Sequence, residues 1–208
     1  MAKLFFRYSA MNAGKSTSLL QIAYNYEEQG QKVLLFTAGI DDRSGLGVIA
    51  SRLGLQRQAA TFDAVTDFWA LLQDPADLAC VLIDESQFLT PEQVRQLHRL
   101  ANIRNLPIIC FGLRSDFMGQ PFPGSAHLLT LADDIEEIKT ICACGRKATM
   151  NIRTTDAGDR VREGVQVEIG GHNRYQQVCA RCFYAGASQG GVTRSHPEFA
   201  ATPQDLPW

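Results

Sequence analysis

The sequence predicts an α/β protein, a parallel sheet flanked by helices, with a small cysteine-bearing unit appended to it. Three observations predict this: short continuous apolar runs, helix-like segments alternating with them, and a change of texture near Ile141. The apolar runs are Leu4 to Tyr8, Val33 to Phe36, Cys80 to Ile83 and Ile108 to Phe111. Runs of this kind suit strands covered on both faces, as in a parallel sheet. Between them lie Lys15 to Gln29, Ala64 to Leu72 and Pro91 to Ile103, with Gly30 as a stop signal for the first. Thr90-Pro91 opens the last as N-cap and first helical residue. Strand and helix in alternation give an α/β sheet.

From Ile141 to about Tyr184 no long amphipathic pattern appears. The segment carries four cysteines, Gly158, Gly164, Gly170 and Gly171, and short strand-like pieces such as Val165 to Ile169. A small, loop-rich unit of this composition needs a staple. The expected organisation is therefore 1–140 as one domain, 141–185 as a second, and 186–208 as a disordered tail of Gly, Ser, Pro and scattered charge.

At 208 residues the chain can bury a substantial core, and its 45% hydrophobic and 20% charged residues are those of a globular protein. No apolar run approaches the ~20 residues that span a bilayer. The start, Met1-Ala2-Lys3-Leu4-Phe5-Phe6-Arg7, lacks the apolar stretch of a signal peptide, so a first strand in a cytoplasmic protein is expected. A net charge of -2 and a pI near 6.1 argue against a broad nucleic-acid surface, which needs clustered Lys and Arg. Cys80 and Cys110 sit inside apolar runs and read as core residues.

Ser9-Ala10-Met11-Asn12-Ala13-Gly14-Lys15-Ser16 lies between a strand and a helix, the context a phosphate-binding loop requires. There, backbone N–H groups and the helix dipole can cradle polyphosphate oxygens. Lys15 is expected to neutralise the transferred phosphate and the Ser16 hydroxyl to ligate Mg²⁺. Ser9 departs from the consensus glycine.

Ala79-Cys80-Val81-Leu82-Ile83-Asp84-Glu85 is an apolar strand ending in two carboxylates. Alone it reads equally as a charge pair at a helix N-terminus. Coupled to the phosphate loop it makes Asp84 the magnesium-shell carboxylate and Glu85 the general base, with Ser86 and Gln87 beside the nucleotide. Asp41-Asp42-Arg43 and Gly112-Leu113-Arg114-Ser115-Asp116-Phe117 follow other strands and should rim the same crevice. Arg43 or Arg114 is a candidate for stabilising phosphoryl charge, and Phe117 or Phe122 for stacking on a base; solvated charges and loop anchors are the alternative.

Cys142-Ala143-Cys144-Gly145 and Cys179-Ala180-Arg181-Cys182 form two close pairs separated by 34 residues, positions 145–178. In a cytoplasmic chain Cys142, Cys144, Cys179 and Cys182 read as a closed four-thiolate structural zinc site; disulfides are the rival.

These motifs together resemble the thymidine kinases of the small, zinc-containing type. The resemblance runs from about Lys3 to Tyr184. It rests on the loop at 9–16, Asp-Glu-Ser-Gln-Phe at 84–88, Gly-Leu-Arg-Ser-Asp-Phe at 112–117, the cysteine pairs, and Ile-Gly-Gly then Arg-Tyr within 169–175. Bacterial members are similar at Ser9. The resemblance implies a P-loop, RecA-like core with a zinc-stapled lasso domain, and transfer of the γ-phosphate of ATP to the 5′-hydroxyl of deoxythymidine with Mg²⁺. It makes Glu85 the match of the catalytic base. It places Met11, Phe88, Phe117 and Phe122 in the base-pocket wall, Gly170 and Gly171 in the lasso, and Tyr175 as the tyrosine that closes over the nucleoside. It also implies a homotetramer and inhibition by thymidine triphosphate, while the acidic charge and the apolar run lengths predict neither nucleic-acid nor membrane partners.

Two rivals remain at this point. A nucleotide-dependent ATPase or switch module would use the zinc unit to bind nucleic acid or protein, yet Arg146, Lys147, Arg153, Arg160, Arg162, Arg174 and Arg181 are scattered rather than striped. A kinase for another nucleoside survives better than that module, since recognition mostly through backbone leaves side-chain identity unable to exclude deoxyuridine or analogues. Against hydrolysis, a kinase needs a second pocket that admits a hydroxyl and excludes water, and the stapled loop is the candidate lid for it.

Overall fold

A computed structural model describes residues 1–41, 45–74, 77–167 and 174–185. In chain order its first elements are β1 (Leu4–Ser9), α1 (Lys15–Glu28), β2 (Val33–Ala38), β3 (Val48–Ala50), β4 (Gln56–Gln58), β5 (Ala60–Phe62) and α2 (Phe68–Leu71). Next come β6 (Cys80–Ile83), a 3₁₀ turn (Ser86–Phe88), α3 (Pro91–Ile103), β7 (Ile108–Leu113), α4 (Pro123–Leu131) and β8 (Asp134–Glu137). The remainder is β9 (Thr140–Ile141), β10 (Lys147–Ala148), β11 (Met150–Thr154), β12 (Arg160–Val161), β13 (Tyr175–Val178) and α5 (Ala180–Ala185).

A six-stranded parallel sheet runs in the order β5-β2-β6-β7-β1-β8. Its central strand, Cys80–Ile83, is wholly buried because both faces are covered. Val81 and Ile83 face a core with Phe68, Val94, Leu97, Leu100 and Leu128. Cys80 and Leu82 face the opposite core with Leu19, Leu20, Ala23 and Ile49. At about 1.5–3 kcal/mol for each fully buried aliphatic or aromatic side chain, these two layers supply the main driving force. The buried thiols belong to them: burial first pushes the Cys80 thiol up to about 12 and raises that of Cys110 as well.

Helix ends follow local chemistry. Thr90 and Gln93 form a reciprocal capping box with Pro91 at the first helical position. The expected helix from Ala64 is shorter, beginning at Phe68. Asp63 diverts the chain, accepting from the Val65 N–H and the Thr66 hydroxyl, and Asp67 then caps through the Ala70 N–H.

In the small unit Cys142 and Cys144 lie in the turn between β9 and β10, and Cys179 and Cys182 lie at the end of β13 and on α5. Strands β12-β11-β13 form an antiparallel sheet. Cys142, Ala148, Ile152, Val178, Cys179 and Phe183 make an apolar cluster of their own. The strand-like piece expected from Val165 is not a strand over its described part, 165–167; Val165 is 69% exposed, so no apolar face drives pairing. Gly170, Gly171, Arg43 and the tail 186–208 lie outside the described residues.

Candidate active site

Parallel strands send their carboxyl ends to one edge of the sheet, and ligand-binding loops gather there. β1 delivers the loop to Ser16, β6 delivers Asp84 and Glu85, and β7 delivers Leu113 to Phe117. They surround a cavity of about 1300 Å³. Met11 to Ser16 line it, as do Asp84, Glu85, Gln87, Phe88, Phe117, Phe122, Gln166 and Tyr175.

The loop turns through two left-handed residues, Asn12 at φ 61° and Gly14 at φ 84°. Gly14 is the N-cap of α1, so the first N–H groups of that helix open towards the cavity. Lys15 Nζ donates to Ser9 Oγ at 3.1 Å, and Ser9 Oγ donates to the Ala10 carbonyl at 2.6 Å. Ser9, Ala10 and Ser86 are buried behind the cavity wall rather than lining it. Ser9 therefore acts within the fold as the seat of the lysine.

Ser16 Oγ donates to Asp84 Oδ2 at 2.8 Å, and the Glu85 N–H donates to Asp84 Oδ1 at 3.0 Å. Burial and then the neighbouring Glu85 carboxylate push Asp84 up to about 7, against the opposing pull of Ser16 and Lys15. A cation beside the pair would oppose both of these effects and favour the ionised carboxylate. An alcohol oxygen and a carboxylate oxygen side by side at a phosphate loop are the donor set of a divalent oxygen-seeking ion, so the residues fit Mg²⁺.

Glu85 has φ 52°, a left-handed conformation that costs a non-glycine residue energy. Gln87, 2% exposed, accepts the Leu113 N–H through Oε1 at 3.0 Å and turns Nε2 to Glu85 Oε2. Gly112 permits this approach: a Cβ there would lie 2.6 Å from Ser86 Oγ and 2.9 Å from Gln87 Oε1. Phe88 and Phe122 meet edge to face, with ring centroids 5.9 Å apart. The Phe117 ring lies under the Arg153 guanidinium, 4.0 Å from its centroid.

Arg114 does not line the cavity. It stacks on Tyr8 at 5.6 Å and donates to the Thr149 carbonyl at 3.3 Å; Arg7 and Arg52 are among the arginines that do line it. Sequence reasoning gave no role to Asp116 or Asn151. Asp116 accepts from the Met118 and Gln120 N–H groups and from Gln166 Nε2. Asn151 joins the Met11 N–H to the Ser115 carbonyl. Asp116 stood inside a quoted motif, but Asn151 carries no local signal.

The four cysteine sulfurs of the small unit lie within 4.8 Å of one another, with Cys144 and Cys179 at 3.6 Å, and none of the six cysteines forms a disulfide. Tetrahedral zinc at ~2.3 Å from each sulfur sets S···S at about 3.8 Å, so the set fits. Hydrogen bonds, first from the Arg146 backbone and then among the thiols, pull Cys144 down to about 6. Those to Cys144 and Cys179 push Cys182 up to about 12. Among the described residues no helix is long and apolar enough to cross a membrane.

The thymidine kinase family pattern matches residues 2–183. A thymidine kinase of Chromobacterium violaceum is 67% identical over 184 residues, covering 88% of this chain and 99% of that one. Those of Albidiferax ferrireducens and Idiomarina loihiensis are 59% and 55% identical over 88% and 87% of this chain and 93% and 95% of theirs. Among solved structures, a Pif1 helicase from Candida albicans is similar at TM-score 0.41 and 13% identity, covering 67% of this chain and 36% of that one. The match across the phosphate loop, both carboxylates and the cysteine cluster, at this identity and coverage, places the chain in the thymidine kinase family.

Proposed function

We propose that the chain is a working thymidine kinase that transfers the γ-phosphoryl group of ATP to the 5′-hydroxyl of deoxythymidine, with Glu85 as general base. The observation that carries this is one continuous cavity holding the phosphate loop, the Asp84-Glu85 pair and three phenylalanines. Phosphate groups occupy the loop, where backbone N–H groups from Asn12 to Ser16 and the Lys15 ammonium oppose their charge. Ser9 and Ala10 form the base of that loop. Ser16 and Asp84 would hold Mg²⁺, which when bound neutralises charge on the terminal phosphates.

Met11, Phe88, Phe117 and Phe122 would wall the nucleoside end and Tyr175 would close it; Gly170 and Gly171, expected to bind the nucleoside as well, lie outside the described residues. The closed site excludes water, which would otherwise compete as acceptor. Glu85 takes the proton of the 5′-hydroxyl as its oxygen bonds to the γ-phosphorus. The bond from that phosphorus to the bridging oxygen of ADP breaks, and thymidine monophosphate and ADP leave. Ser86 and Gln87 set the turn that carries Glu85.

The division into 1–140 and 141–185 is supported by the separate apolar cluster of the second unit, and the expected tail 186–208 lies outside the described residues. Its cysteines would hold zinc, which when bound supplies a covalent staple to a unit with little core. A cytoplasmic homotetramer inhibited by thymidine triphosphate, without a nucleic-acid partner, completes the reading; the slightly acidic charge supports the last point. The test is purified protein with Mg-ATP and a panel of nucleosides, scored for monophosphate. Thymidine should lead; ATP turnover that no nucleoside accelerates would instead favour a switch module.

A further inference from the structure

Two successive residues of the phosphate loop are gripped by two residues of the cysteine-bearing unit. The Met11 N–H donates to Asn151 Oδ1 at 2.8 Å, and Asn12 Nδ2 donates to Gln177 Oε1 at 2.9 Å. Asn151 and Gln177 are direct partners across β11 and β13, so their side chains leave the same face of one sheet. We propose that this pair is a positioning clamp that holds the phosphate loop in its nucleotide-binding shape from outside the kinase core. The proposal rests on reading that loop as the ATP site.

The chemistry fixes the arrangement. Asn151 is 3% exposed, and its Nδ2 donates to the Ser115 carbonyl at 3.2 Å. A backbone donor on one side and a backbone acceptor on the other leave its amide a single orientation that satisfies both. The Met11 N–H is thereby taken out of the set that faces phosphate. Asn12, next in the chain, has φ 61°, in the left-handed region that asparagine tolerates better than most non-glycine residues. The bond to Gln177 restrains its side chain in that turn.

A loop whose donors already point inward loses less freedom when phosphate arrives, and binds tighter for it. The clamp is anchored well. Strand β13 begins at Tyr175 in the cavity wall, carries Gln177, and runs into Cys179 of the thiol cluster. One short strand thus connects the nucleoside end, the phosphate loop and the staple.

The test uses the full chain and titration calorimetry with Mg-ADP, followed by steady-state kinetics. Asn151→Leu and Gln177→Met should each weaken Mg-ADP roughly fivefold, the scale of one lost hydrogen bond. KM for ATP should rise by the same factor, with a smaller change in kcat. The double variant should lose less than the product of the two, since both act on one loop. A merely structural role would lower Tm and leave nucleotide affinity alone. Should Asn151→Leu fail to fold, Gln177→Met at the half-exposed position carries the test. Affinity for Mg-ADP within twofold of the parent in a folded Gln177→Met chain overturns the clamp. A parent that binds no Mg-ADP overturns the nucleotide site and the clamp together.

Discussion

Gln87 holds Glu85: one buried amide accepts the Leu113 N–H at 3.0 Å and gives its own N–H to the Glu85 carboxylate. The backbone donor settles which way the amide faces, so the carboxylate meets a donor and never an acceptor. The proposed base sits on a strained residue at φ 52° and is kept there by a side chain two positions later.

Gln87→Leu should therefore lower kcat roughly ten- to a hundredfold with nucleotide affinity kept, because a misplaced base costs rate rather than binding. Gln87→Glu should fall further, since it sets a second negative charge against Glu85. Steady-state kinetics with Mg-ADP titration separates the two effects. Equal loss of affinity and rate would mean that Gln87 supports the whole loop instead.

Gly112→Ala tests the same relationship from behind. The added Cβ would lie 2.6 Å from Ser86 Oγ and 2.9 Å from Gln87 Oε1, so the 3₁₀ turn must shift. Overpacking of this kind costs about 1–3 kcal/mol, and thermal unfolding should show it together with a lowered kcat. Unchanged stability and turnover would show that the turn yields freely.

Asp84 is a site kept at the fold's expense. Its carboxyl is held at about 7, far above the ~3.9 of an unfolded chain. The folded state therefore binds more protons in that window, and metal-free stability falls as pH rises from about 4 to about 7. Asp84→Asn should flatten that fall and raise Tm at neutral pH by roughly a few degrees, while losing the stabilisation that Mg²⁺ gives the parent and most activity. Thermal melts across pH, with and without Mg²⁺, check it. A parallel pH dependence in parent and variant would deny Asp84 its role.

Zinc should bind with proton release, because thiols must ionise to become ligands. Cys144, already at about 6, has given up most of its proton at pH 7, whereas Cys182 at about 12 has not. Fewer than four protons should leave, measured by calorimetry in buffers of differing ionisation heat. Cys144→Ala should lose the metal and the fold of the second unit together. Full zinc content in that variant would defeat the assignment.

The sheet was legible where burial on both faces writes a continuous apolar run, as at Cys80–Ile83, and where caps are local, as at Thr90-Pro91. It was not legible in Gln56–Gln58, whose residues are polar and exposed and pair only because Val48–Ala50 lies opposite. Strand Asp134–Glu137, acidic and at the sheet edge beside β1, gave no signal either. The same contrast holds in the site. The loop to Ser16 and the Asp84-Glu85 pair announce themselves because their chemistry needs fixed local spacing. Asn151 and Gln177 act on partners 140 and 165 positions away, a proximity that only the folded chain creates.

The most direct test of the central claim is the rate of thymidine monophosphate formation by Glu85→Gln under saturating Mg-ATP and thymidine. Removing only the base should cut the rate roughly 10²- to 10⁴-fold while Mg-ADP still binds as it does to the parent. Near-normal turnover in a folded, nucleotide-binding Glu85→Gln chain would contradict the account.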